Sequence, residues 1–173
     1  HNNPCGAALA DSPSEAFRKA LDCDCTSAFG GIVAFNNHVD LAAAELISNI
    51  FLECVVAPSF NKDALEILKS KKNLRLLQIN KENIKMNKGS TYKSILGGIL
   101  EQDHDNEVDQ LNEWSCVTKT TTSTEEFNDL RFSWKICKHV KSNAIVISKN
   151  QQTIGIGAGQ MNRVGAAKIA LDS

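Results

Sequence analysis

No apolar run in the 173 residues approaches the ~20 that a membrane-spanning helix needs, and no signal peptide is visible. An excess of one charge is missing too. Nineteen Lys and Arg stand against twenty Asp and Glu, a formal net charge of -1, so nothing global points to nucleic acid or an acidic membrane surface as partner. Cysteine pairs at metal or redox spacing are scarce. The six cysteines (Cys5, Cys23, Cys25, Cys54, Cys116, Cys137) supply one CxC and no CxxC. A secreted disulfide framework is not expected in a chain of this size with 42% hydrophobic residues, and Cys23 and Cys25 lack further ligands at zinc spacing. The thiols read as reduced, buried or incidental groups of a cytoplasmic protein. An initiating methionine is lacking as well. His1 opens the chain, with Asn2, Asn3, Pro4, Cys5 and Gly6 behind it, and reads as an interior residue of something longer.

What is present is an α/β alternation. Ser12-Pro13 opens the helix SEAFRKAL, with proline in the first turn. GGIVAF is expected to be a buried strand, and Asp40 to cap the helix LAAAELISNIF. ECVVA (Glu53 to Ala57) and LRLLQI (Leu74 to Ile79) read as strands on either side of the helix KDALEILKSKK. Such alternation predicts a sheet with helices packed on it. From about residue 80 to 123 the composition shifts, as in a small insert. Asn80 to Ser94 is polar and Lys-rich, SILGGILEQD reads as a strand or arm interrupted by Gly97 and Gly98, and HDNEVDQLNEWS is acidic. Ser123 or Thr124 is expected to cap a helix, in which Phe127, Leu130, Trp134 and Cys137 form a stripe predicted to be buried. NAIVIS (Asn143 to Ser148) and TIGIGAG follow as strands, and QMNRVGAAKIAL as a helix.

Four stretches place polar residues or glycines where apolar runs stop: HNNPCGA, SAFGG, FLEC and the run from Ser142 to Arg163. Strand ends in an open α/β sheet are where ligands bind. In TIGIGAGQMNR, Gly155, Gly157 and Gly159 could let backbone N–H groups approach an anion, with Arg163 one turn into the helix. The plainer reading is tight strand–helix packing where no Cβ fits. The spacing is GxGxG rather than GxGxxG, which does not support a nicotinamide site. Glu53 offers a carboxylate for hydroxyls or an amine, or is an exposed strand end. Asn143 offers an amide suited to a carboxamide or purine-like edge, or is a turn residue. His1 offers a general acid or base, or a solvated terminus.

In order, HNNPCGAA, TSAFGGIVAFN, FLECVVAPSF with KDALEILKSKKNLRLL, and KSNAIV with TIGIGAGQMNRV are familiar. The chain resembles the aminoimidazole carboxamide ribonucleotide (AICAR) formyltransferase part of the bifunctional purine biosynthesis protein, from His1 to about Ser173, weakest between Lys81 and Thr122. The resemblance implies transfer of a formyl group from 10-formyltetrahydrofolate to the 5-amino group of AICAR, beside an amino-terminal cyclohydrolase domain that is absent here and closes the product to inosine monophosphate. It implies a cytidine-deaminase-like fold, a three-layer α/β/α unit, with a second such unit starting near the C-terminus. It also implies a homodimer with sites at the interface, and no metal for the transfer. By position His1 would move the proton of the attacking amine. Gly30 would contact the nucleotide and Glu53 bind the substrate. Asn143 would hold the carboxamide and help shuttle the proton, and Arg163 and Val164 would lie on the folate side. The family's motif has a lysine just before the histidine, the candidate cation for charge on the formyl oxygen. That lysine would precede His1, so the chain is expected to start inside the catalytic pair. A zinc nucleoside deaminase is a poor alternative, because its H-x-E and PCxxC are not met by His1-Asn2-Asn3 or by Ala8, three residues after Cys5. The other alternative is a non-catalytic folding or dimerisation piece, without turnover when isolated.

Overall fold

The computed structural model describes residues 3–80, 82, 89–105 and 113–172. They divide into two compact units, His1–Gln78 with Thr122–Ser173, and Ile79–Thr121.

The first unit is α/β. Its opening helix, α1 (Pro13–Cys23), starts because the Ser12 hydroxyl accepts the Glu15 N–H at 3.2 Å and Pro13 needs no partner for a missing N–H. After strand β1 (Gly31–Ala34), the Asp40 carboxylate accepts the Ala43 N–H at 2.9 Å and starts α2 (Leu41–Ser48). The expected helix through Phe51 stops three residues early, where the chain turns into strand β2 (Leu52–Ala57). Helix α3 (Lys62–Lys69) and strand β3 (Arg75–Gln78) complete a parallel sheet in the order β1-β2-β3. Val33, Val55 and Leu76 share one register row and join the core with Ala43, Ala44 and Ile47 of α2 and Ala64 and Leu68 of α3. Burying these side chains is the main stabilising term of this layer. Ile32 and Leu77, of the alternate parity, remain 71% and 51% exposed.

Farther along, Ser123 and Glu126 form a reciprocal capping box that starts α4 (Thr124–Cys137). The stripe expected to be buried on this helix is not. Leu130 and Trp134 are 52% and 57% exposed, and Phe132, outside the stripe, is the buried residue. An antiparallel hairpin follows, β6 (Ile145–Lys149) and β7 (Gln152–Gly157). Its turn holds Asn150 and Gln151 at φ 53° and 54°, and the Asp129 carboxylate accepts both of their N–H groups at 2.9 and 2.6 Å. The strand begins at Ile145, leaving Asn143 just before it. Helix α5 (Arg163–Asp172) packs on β7. Residues 7–9 run beside β7, with Thr153 N–H donating to the Ala7 carbonyl and Leu9 N–H to that of Gln151, both at 2.9 Å.

The second unit contains the antiparallel hairpin β4 (Ser90–Ile95) and β5 (Gly98–Asp103), so Leu96 and Gly97 form a turn rather than a break in one arm. The first strand begins inside the stretch that shows no periodicity in the sequence, and Tyr92 Oη donates to Glu101 at 2.9 Å across the pair. Much of the Lys-rich and acidic stretches expected here, at 81, 83–88 and 106–112, lies outside the described residues.

Candidate functional site

Two of the four polar stretches, the first and the run from Ser142 to Arg163, meet at one end of the β6–β7 hairpin. Lys141 N–H donates to Asn3 Oδ1 at 2.8 Å, which ties Asn3 to KSN. Gly159 N–H donates to the Lys141 carbonyl at 2.8 Å, which ties KSN to GAGQ. Asn143 is bound on both backbone and side chain, its N–H and Nδ2 donating to the Gln160 carbonyl at 3.2 and 2.9 Å. Among the described residues no hydrogen bond to its Oδ1 is seen. His1 itself lies outside the described residues.

A second group forms where the parallel strands begin. Gly30 precedes β1 at φ +70°, a conformation that a side chain disfavours, and its N–H donates to the Phe51 carbonyl at 2.8 Å. The Phe29 and Phe51 rings lie 5.2 Å apart. Two residues after Phe51, the Glu53 carboxylate accepts from Arg75 Nη1 at 2.5 Å. Leu52 and Leu74, the residues just before Glu53 and Arg75, line an open cleft of about 310 Å³ with Lys71 and Lys72. Gly30, Glu53 and Arg75 therefore share the amino-terminal edge of the sheet. Among the described residues no hydrogen bond or ion pair joins this group to Asn143 or to Arg163.

Arg163 and Val164 occupy the first turn of α5 and are both exposed. Asn162 caps that helix, its Oδ1 accepting the Gly165 N–H at 2.7 Å. The glycines before it settle one choice that the sequence leaves open. A Cβ on Gly155 would sit 1.8 Å from the Ala170 carbonyl oxygen, and one on Gly157 equally close to that of Ala166. These two glycines exist for strand–helix packing.

Burial pushes the Cys5 thiol up from its ordinary value, helped by the nearby Asp24 charge, and burial likewise raises Cys23. Both are protonated near neutral pH and poor nucleophiles. Among the described residues no group of three or more His, Cys, Asp or Glu is placed to hold a metal ion. No helix among them is long and apolar enough to cross a membrane.

Asn3, Gln160, Phe51 and Arg75 are the site neighbours that sequence reasoning missed. Each is joined to its partner by a bond across strands or loops, which no local pattern announces.

Residues 1–173 match the family profile described as AICARFT/IMPCHase bienzyme. A protein named bifunctional purine biosynthesis protein PurH from Prochlorococcus marinus strain MIT 9515 is 60% identical over 173 residues, covering all of this chain and 34% of that protein. Its namesake from Prochlorococcus marinus subsp. pastoris is 61% identical with the same coverage, and the one from strain NATL1A is 56% identical over all of this chain and 33% of its own length. The chain thus spans about a third of the length of the curated relatives it matches. Matched from end to end at this level of identity, it belongs to the AICARFT/IMPCHase bienzyme family.

Proposed function

We propose that this chain is part of a purine-biosynthetic enzyme and carries much of its AICAR formyltransferase site. The observation that supports this best is the meeting of Asn3, KSN and GAGQ around Asn143, whose amide is fixed by Gln160 and has an acceptor oxygen that could take a ligand N–H. The 5-amino group of AICAR is a weak nucleophile, because the ring and carboxamide withdraw its lone pair. Orientation and proton removal must therefore supply the rate. In this reading Asn143 Oδ1 holds a ligand N–H, His1 takes the amine proton, Gly30 borders the nucleotide and Glu53 binds it.

The cosubstrate, 10-formyltetrahydrofolate, supplies the activated formyl group. Arg163 and Val164 suit it, since an exposed cation beside an exposed apolar side chain fits a ligand with a carboxylate tail and an aromatic body. No metal is needed for the transfer. The working protein is proposed to be a cytoplasmic homodimer of cytidine-deaminase-like units that binds only small molecules as substrates, with no nucleic acid and no membrane. Its place is late in inosine monophosphate synthesis, before ring closure by a cyclohydrolase.

In the full-length protein, His1→Ala and Asn143→Ala should each lower kcat by ~10²–10⁴-fold, the usual contribution of a positioned acid or base. AICAR affinity should change much less. Turnover like the parent's in either variant would refute the assignment.

A further inference from the structure

The Glu53 carboxylate is already held. Arg75 Nη1 donates to its Oε2 at 2.5 Å, and the same nitrogen reaches the Asn73 carbonyl at 3.5 Å. The sheet builds this juxtaposition. Glu53 is the second residue of β2, Arg75 the first of β3, and Arg75 is in register with Cys54, the next residue after Glu53. Resting on the reading in which Glu53 binds the nucleotide, we infer that Arg75 is a positioning residue. It pins one carboxylate oxygen and leaves Oε1 aimed for a substrate hydroxyl or amine.

The exposure of the pair decides what it is for. Arg75 and Glu53 side chains are 67% and 46% exposed, and ion pairs so open to water add little to folding. Orientation is another matter. A half-exposed glutamate has three side-chain torsions to lose on binding, and an arginine that holds it beforehand removes part of that loss from the binding step. One nitrogen of the guanidinium, Nη1, serves Glu53 closely and the Asn73 carbonyl at long range, and a lysine ammonium, shorter in reach and more strongly hydrated, replaces it less well.

The test uses the full-length protein with Arg75→Ala, Arg75→Lys, Glu53→Ala and the Arg75→Ala/Glu53→Ala double variant. Melting temperature, the AICAR dissociation constant by calorimetry, and kcat and KM with AICAR varied are measured for each. Arg75→Ala should keep the parent's melting temperature, weaken AICAR roughly three- to tenfold, the usual cost of ordering one flexible side chain on binding, and change kcat less than KM. Arg75→Lys should recover only part of the affinity. In the Glu53→Ala background, removing Arg75 should add nothing. Parent-like AICAR affinity in Arg75→Ala, while Glu53→Ala binds weakly, would overturn the inference and spare the role of Glu53. So would a full Arg75→Ala effect persisting without Glu53, which would mean that Arg75 acts on its own, or a marked fall in melting temperature. Unchanged affinity in Glu53→Ala would instead remove the nucleotide-binding role of Glu53, and the inference with it.

Discussion

Cys23, Asp24 and Cys25 stand side by side in sequence and have opposite surroundings. Cys23 is buried, Cys25 is exposed, and Cys5 is half-buried beside Asp24. The Asp24 carboxyl is held below its usual range, first by the Ser27 hydroxyl and then by backbone N–H groups, one of them the Ser27 N–H at 2.8 Å. It therefore stays charged near neutrality and keeps the Cys5 thiolate unfavourable. Alkylation follows the thiolate fraction and access. In a timed iodoacetamide reaction at pH 8 read by peptide mass spectrometry, Cys25 should be modified well before Cys5 and Cys23. Equal rates at all three would show that burial and the Asp24 charge do not govern them. Asp24→Asn should then speed both Cys5 and Cys23, because the Asp24 charge is among the causes that raise each of these thiols.

Strand β7 and helix α5 lie so close that their contact is backbone on backbone. Gly157→Ala puts a Cβ 1.8 Å from the Ala166 carbonyl oxygen, and a helix carbonyl cannot swing aside as a flexible side chain does. The helix must move, at a loss of about 2 kcal/mol or more. Gly98→Ala is the control, since its nearest neighbour would be the Ile95 side chain at 4.0 Å. Urea melts should show the first loss and not the second; matching midpoints would remove the packing argument. The glycine run is open to this reading and to an anion cradle in the sequence because both need a missing Cβ. Elements whose cause is local were legible: the caps at Ser12, Asp40 and Ser123 each act over three residues. The buried face of α4 was not. Apolar residues lie on more than one side of that helix, and the one that meets the β6 layer carries Phe132 rather than Leu130 and Trp134. Of the candidate site, Gly30, Glu53 and Asn143 stood out because each precedes or opens an apolar run. Arg75 and Gln160 did not, since their partners lie 22 and 17 residues away.

At the scale of the whole molecule, the chain is a third of its relatives' length, and two features bear on how it behaves alone. The parallel sheet buries one face under α2 and α3 and exposes Ile32 and Leu77 on the other, whereas parallel sheets in working proteins have both faces covered. Under the proposed function, the family's motif sets a cationic lysine before His1, and about two thirds of the relatives' length lies outside the matched region. Loss of one positioned donor to a developing oxyanion removes ~10²–10³ in rate. On the same reading, folate contacts supplied by the rest of the full-length protein act on the same step by steadying the approach of the formyl group. The isolated 173 residues should therefore show far-UV circular dichroism of an α/β fold and bind a hydrophobic dye at the bare sheet face, more weakly after Ile32→Lys with Leu77→Lys. They should release no tetrahydrofolate above background when incubated with AICAR and 10-formyltetrahydrofolate. Side by side with the full-length protein, the absorbance assay decides the matter. Turnover by the isolated chain within tenfold of the full-length rate would locate the whole machinery between His1 and Ser173, and would sink the argument that lysine and folate contacts from outside it are required.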